Sequence, residues 1–272
     1  TVSDGASLGF QGGITYSTAE AVSITGTGVS SSGALKNISG DNSFAGNVTM
    51  TGHSSIGADA GTLTLSGVVS GAFNLTKVGS GAIVMTGANT FSGTTTISAG
   101  SLNAGAANAL GSTSNVTISS GGTLLLSGSG NRVNDGATVT LAGGTIDGNN
   151  QTETFGAMTL TANSVIQLDS AVGSGDITFA SATYSAGTLT IYNWLGVAGV
   201  AGTDDHIYIT AEPTQAFLDA VTFDTFGAGA QWLSLTGELV PIIPEPGTVV
   251  GGIFLAGLLG WRVFRSRPKS KV

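Results

Sequence analysis

Short runs of alternating apolar and small polar residues recur through the first 210 positions of this chain. Val22-Ser23-Ile24, Val48-Thr49-Met50, Leu63-Thr64-Leu65, Val116-Thr117-Ile118, Val139-Thr140-Leu141, Met158-Thr159-Leu160, Ile177-Thr178-Phe179 and Leu189-Thr190-Ile191 share one form. A period of two sends successive side chains to opposite faces, so each run predicts a strand with one buried face. Gly, Asn or Ser flanks most of them, and these residues supply turns and positive φ. No apolar stripe at i, i+3, i+4, i+7 interrupts the pattern before residue 210. The best candidate for a soluble helix is 214–220, two turns at most.

The runs also repeat at a spacing. Leu63 is followed by Ile83, Ile97 by Ile118 and Ile118 by Val139, each about twenty residues on. One coil of that length cannot bury its own inner face, so neighbouring coils must stack and pair their strands in parallel. The predicted fold is all-β: a right-handed parallel β-helix over residues 1–150, with Val, Ile, Leu and Phe along the axis. A β-sandwich of hairpins is the alternative, and the scarcity of two-residue Asn-Gly turns weighs against it. Residues 151–240 are less repetitive and hold Tyr184, Tyr192, Trp194, Tyr208 and Trp232. They are read as a β-rich continuation that caps the open strand edges, which otherwise invite aggregation. Tyr192 and Trp194 follow the strand Leu189-Thr190-Ile191 and are read as core filling. A carbohydrate platform is the other reading of these aromatics.

The C-terminus changes the picture. After a Pro-rich linker, 241–247, comes an uncharged run, 249–261, that spans roughly 20 Å as a helix. Counted over 247–264 it reaches about 27 Å, enough for a ~30 Å hydrocarbon core if Arg262 snorkels. A single transmembrane helix is therefore expected over 248–264, with a basic tail at 265–272. A buried core helix with a solvated basic end is the alternative. Arg262, Arg265, Arg267, Lys269 and Lys271 are five of the eight cations in the chain. Lys and Arg stay on the cytoplasmic side, so the body should face the other way. Residues 1–261 carry sixteen acids against Lys36, Lys77 and Arg132, a net charge of −13. That balance excludes a nucleic-acid footprint. The absence of cysteine excludes disulfides and thiolate metal sites. The chain opens at Thr1 without a leader and is read as a mature or trimmed form of an exported precursor.

Residues 240–248, the apolar helix and the arginines together resemble the PEP-CTERM sorting signal of Gram-negative bacteria. The resemblance implies that Pro244, Glu245 and Pro246 are recognised by an exosortase, a membrane-embedded cysteine transpeptidase that removes the helix. Proline fixes φ and disfavours helix in the residue before it, so this segment should stay extended for such an enzyme. A second resemblance rests on residues 77–102, KVGSGAIVMTGANTFSGTTTISAGSL. A glycine-flanked apolar strand, a Gly-Ala-Asn-Thr-aromatic corner, a threonine-rich strand and an Ala-Gly-Ser-Leu exit follow one another. This is similar to the autotransporter-associated β-strand repeat, and Gly33 to Gly46 is similar to the opening coil of such proteins. No run of barrel strands follows it, so the chain resembles a passenger with a sorting tail in place of a translocator.

Catalytic chemistry finds little to work with. Glycoside hydrolysis needs two carboxylates across a cleft, and the acids here are scattered. Only Lys36, Lys77 and Arg132 are available in the body as base or charge stabiliser. The dense cluster is Asp204-Asp205-His206, a weak candidate for metal binding or acid–base work. A solvated turn leading into a strand is the plainer reading. His53 stands alone in a turn-like context. No nucleophile elbow, phosphate loop or zinc motif is present. The sequence therefore implies no cofactor and no enzyme. It points to an exported structural protein of the cell surface or extracellular matrix, reaching the membrane through its C-terminal helix and processed there. Exopolysaccharide or copies of itself are the further partners that the first resemblance and the stackable coil suggest. Two alternatives remain: an adhesin or carbohydrate-binding surface protein, and a self-assembling filament subunit whose apolar tail packs between copies.

Overall fold

The computed structural model describes residues 1–168, 175–203 and 205–243. Thr1–Pro241 form one unit; of a second, Ile242–Val272, only Ile242 and Ile243 are described. The apolar helix expected over 248–264 lies outside the described residues, and no helix among the described residues is long and apolar enough to cross a membrane.

The first unit is a β-solenoid of about eight turns. Its strands pair in parallel with the equivalent strand one coil away. In one stack the order runs Asn42–Phe44, Thr62–Leu65, Ala82–Met85, Gly100–Ala104, Gly122–Leu126, Thr145–Asp147, Ser164–Gln167, Leu189–Tyr192 and Val221–Phe223. A second stack includes Leu35–Ser39, Leu75–Val78, Thr95–Ile97, Asn115–Ser119 and Thr138–Ala142. Long strands link it to a third. The first half of Val48–Ala58 pairs with Val22–Gly26 and Val69–Ser70, and its second half with Leu35–Ser39 and Leu75–Val78. Glu153–Ala162 and Asp176–Tyr184 pair with each other along both halves.

Register explains why the alternating runs become strands here. Leu63, Ile83, Leu102, Leu124, Ile146, Ile166, Ile191 and Phe223 form one continuous ladder, all buried. Each such side chain contributes about 1.5–3 kcal/mol when fully buried. The intervening Thr and Ser face outward and are half-buried by their neighbours above and below. The expected partners Leu63–Ile83 and Ile97–Ile118 are in register. Ile118, however, pairs with Leu141, and Val139 belongs to Val116. The coil there is two residues longer than the spacing by eye suggested.

The ladder runs through residue 150 without a break and reaches His206–Ile209 and Val221–Phe223. There the chain reverses. Glu238–Pro241 pairs antiparallel with the preceding coil at Tyr208, Ala230–Leu233 pairs antiparallel with it, and Gly227–Ala228 covers Val221–Phe223. The helix Gln215–Asp219, capped by the Thr214 hydroxyl, packs Phe217 inward beside this turn-back. Trp194 is core, 1% exposed, but Tyr192 and Tyr184 are about two-fifths exposed, which corrects the core assignment of Tyr192. Parity already turned Tyr192 outward from Ile191. Trp194 returns to the core because Asn193 adopts a left-handed φ of 64° and resets the alternation.

Candidate functional site

The residues singled out in the sequence do not converge. Asp204 lies outside the described residues. Asp205 is buried, not solvated, and its Oδ1 accepts from the Gly175 amide at 2.6 Å. His206 Nδ1 sits 2.8 Å from Asp176 Oδ1. Burial pulls the His206 pKa down, but the Asp176 hydrogen bond, the Gly202 backbone and the nearby Glu238 and Asp176 carboxylates raise it overall. Among the described residues no three His, Asp or Glu side chains are grouped to hold a metal ion. Pro244, Glu245 and Pro246, expected as the sorting motif, and the cations Arg262, Arg265, Arg267, Lys269 and Lys271, expected to flank the helix, also lie outside the described residues.

The body's cations are structural. Lys36 pairs with Asp59 at 2.6 Å. Lys77 occupies an inward position in the ladder Leu35, Ile56, Lys77, Ile97, and its Nζ donates to the carbonyls of Val78, Gly79 and Ala99. Burial lowers its pKa to about 8. Arg132 and Glu153 are both 2% exposed and meet at 3.3 Å. The guanidinium also donates to Gly128 O, Gly130 O and Gln151, while Glu153 accepts the Arg132 and Val133 amides. Burial raises the Glu153 pKa against those contacts. Alternation marked none of these positions, because it sorts residues by polarity and these polar groups occupy apolar places.

Polar corner residues close the gaps between ladders. Asn89, 3% exposed, accepts from Val69 N at 2.7 Å and donates to Ala109 O at 2.8 Å, so one amide joins three coils. Asn47 accepts from Val68 N, and Asn74 from Thr94 N. His53 is exposed and accepts from Asn74 N. A bend cannot keep every ladder bond, and a buried amide left unpaired costs about 1–3 kcal/mol. The Gly-Ala-Asn-Thr-Phe corner therefore has a defined job: Asn89 replaces lost backbone bonds while Phe91 fills the axis.

Two open depressions mark the ends of the described stack. One, of about 280 Å³, is lined by Leu8, Phe10, Tyr16, Glu20, Ala21, Val22 and Phe44 at the first coil. The other, of about 640 Å³, lies where the ladder turns back and is lined by Thr178, Tyr208, Thr210, Trp232, Ser234 and Thr236 among others. Trp232 Nε1 donates to Ile209 O at 2.8 Å, and the Tyr208 ring stacks on His206 at 5.5 Å and 26°. Sequence reasoning noted these aromatics but could not unite them, since Thr178, Tyr208 and Trp232 come from separate coils and the terminal hairpin.

A solenoid with such corners is the architecture of a passenger-type repeat protein, and the comparisons agree. Residues 75–104 match the passenger-associated-transport-repeat family. A segment of 108 residues, 39% of the chain, is 38% identical to the "Adhesin BmaC autotransporter" of Brucella suis biovar 1, of which it covers 3%. No solved structure matches the chain.

Proposed function

We propose that this chain is an exported, non-enzymatic structural element of a Gram-negative cell surface or extracellular matrix. It is delivered to the membrane by its C-terminal segment and processed at Pro244-Glu245-Pro246 by an exosortase-type transpeptidase. The observation that carries the mechanical part is the unbroken in-register ladder of buried side chains from Leu63 to Phe223, closed by side chains at its corners. A coil whose strands are hydrogen-bonded to the next coil, with side chains tying its corners, resists local opening and proteolysis. The passenger-type repeat supports the surface location. Intact-mass measurement on protein from native cells tests the processing: a mass ending within 244–247 is expected. A mass that includes Val272 would overturn cleavage and leave a retained helix.

A second reading, adhesion, is favoured by the open aromatic groove and by the name of the similar adhesin. Binding of purified protein to cells or matrix, with the solenoid intact, separates it from a purely mechanical role.

A further inference from the structure

The groove at the end of the ladder has a composition that selects its ligand. Tyr208 and Trp232 offer flat apolar faces, and the hydroxyls of Thr178, Thr210, Ser234 and Thr236 surround them. None of the residues lining it is charged. A sugar ring has the complementary make-up: an apolar face of C–H groups and a rim of hydroxyls. We propose that this groove binds a neutral glycan, with Trp232 and Tyr208 as stacking faces and the four hydroxyl side chains on its rim.

The rings are held before any ligand arrives. Trp232 is fixed by its bond to Ile209 O, and Tyr208 rests against His206, itself tied to Asp176. Tyr208 faces outward because Ile207 and Ile209 on either side of it are fully buried. Preorganised aromatics lose little conformational freedom on binding. Acidic polymers are disfavoured: Asp176 and Glu238 lie close to Tyr208, and the body is strongly anionic. A nucleic acid is excluded on the same ground.

The inference deepens the adhesive reading by naming a place and a ligand class, and it can fail separately. Titration calorimetry with the full chain against cello-, malto-, manno- and chito-oligosaccharide series, and against a polyuronate, is the test. Binding to at least one neutral series and none to the polyuronate is expected. Trp232→Ala and Tyr208→Ala should weaken it about tenfold or more. Thr178→Arg replaces an outward side chain, keeps the core intact and fills the groove, so it should abolish binding even if Trp232→Ala disturbs the cap. Thr64→Arg, the same change on an outward position of another stack, should leave it unchanged. Failure to bind any neutral series overturns the groove, while attachment to cells would still stand as adhesion. Glycan binding that survives Thr178→Arg and Trp232→Ala also overturns it.

Discussion

Single buried charges are where this molecule departs most from an ideal coil. Lys77 stands between Ile56 and Ile97 with three carbonyl oxygens and, among the described residues, no carboxylate on its Nζ. Its pKa falls from 10.5 to about 8 on burial. Between those values the unfolded chain binds more protons than the folded one, so stability rises with pH across that window. The full shift corresponds to a gain on the order of 3 kcal/mol. Lys77→Met should abolish this rise, which denaturant midpoints measured from pH 7 to 10.5 for both proteins will show. Arg132 and Glu153 present the opposite case, a buried pair in which each charge depends on the other. Arg132→Met should destabilise by about 3–5 kcal/mol, because it strands a buried carboxylate. Adding Glu153→Gln should return part of that loss, since the amide still accepts from the Arg132 and Val133 backbone without a charge. Thermal melts of the single and double variants test the coupling.

At the scale of strands and corners, backbone approach sets what is allowed. Gly79 and Gly121 both adopt φ near +80°. A Cβ on Gly79 would meet Ala58 O at 2.2 Å, whereas one on Gly121 would meet nothing within 4 Å. Gly121→Ala should therefore cost only the left-handed backbone penalty, about 1–2 kcal/mol. Gly79→Ala should cost clearly more, since the obstacle is a backbone carbonyl of the neighbouring coil. Equilibrium unfolding of the two variants checks the order. Strands were legible in the sequence wherever Thr or Ser alternated with Val, Ile or Leu, since parity alone assigns the buried face. Parity failed at Asn193, which reverses it and puts Trp194 inside, while Tyr192 stays outside as parity from Ile191 requires. Lys77 obeys it, and a cation in an inward slot looks like an error until the carbonyl cage is seen. Asp205 was read as solvated because it follows Gly202 and Thr203 in a turn, yet it is buried against Gly175.

For the molecule as a whole, the two ends of the stack behave differently. A parallel ladder leaves strand edges that can template further pairing. At the C-terminal side of the unit, Glu238–Pro241 meets the last parallel strand in antiparallel sense, with Leu239 and Val240 buried. Such a reversal opposes end-to-end growth in the parallel register and weighs against a filament built from that face. Replacing Leu239 and Val240 with Asp should open the edge and give concentration-dependent association, visible by size-exclusion chromatography with light scattering. Elution and mass unchanged from those of the unaltered protein would show that the reversal is dispensable for solubility.

The sequence by itself determined the solenoid class, the coil spacing to within about two residues and the buried face of each alternating run. All of these follow from period-two alternation and from glycine-bounded lengths, which are local. Only the tertiary structure decided the register in which Ile118 pairs, which cations are buried and how Asn89 joins three coils. It alone brought Thr178, Tyr208 and Trp232 into one groove. Those facts depend on contacts between residues twenty or more positions apart, and no local pattern carries that information.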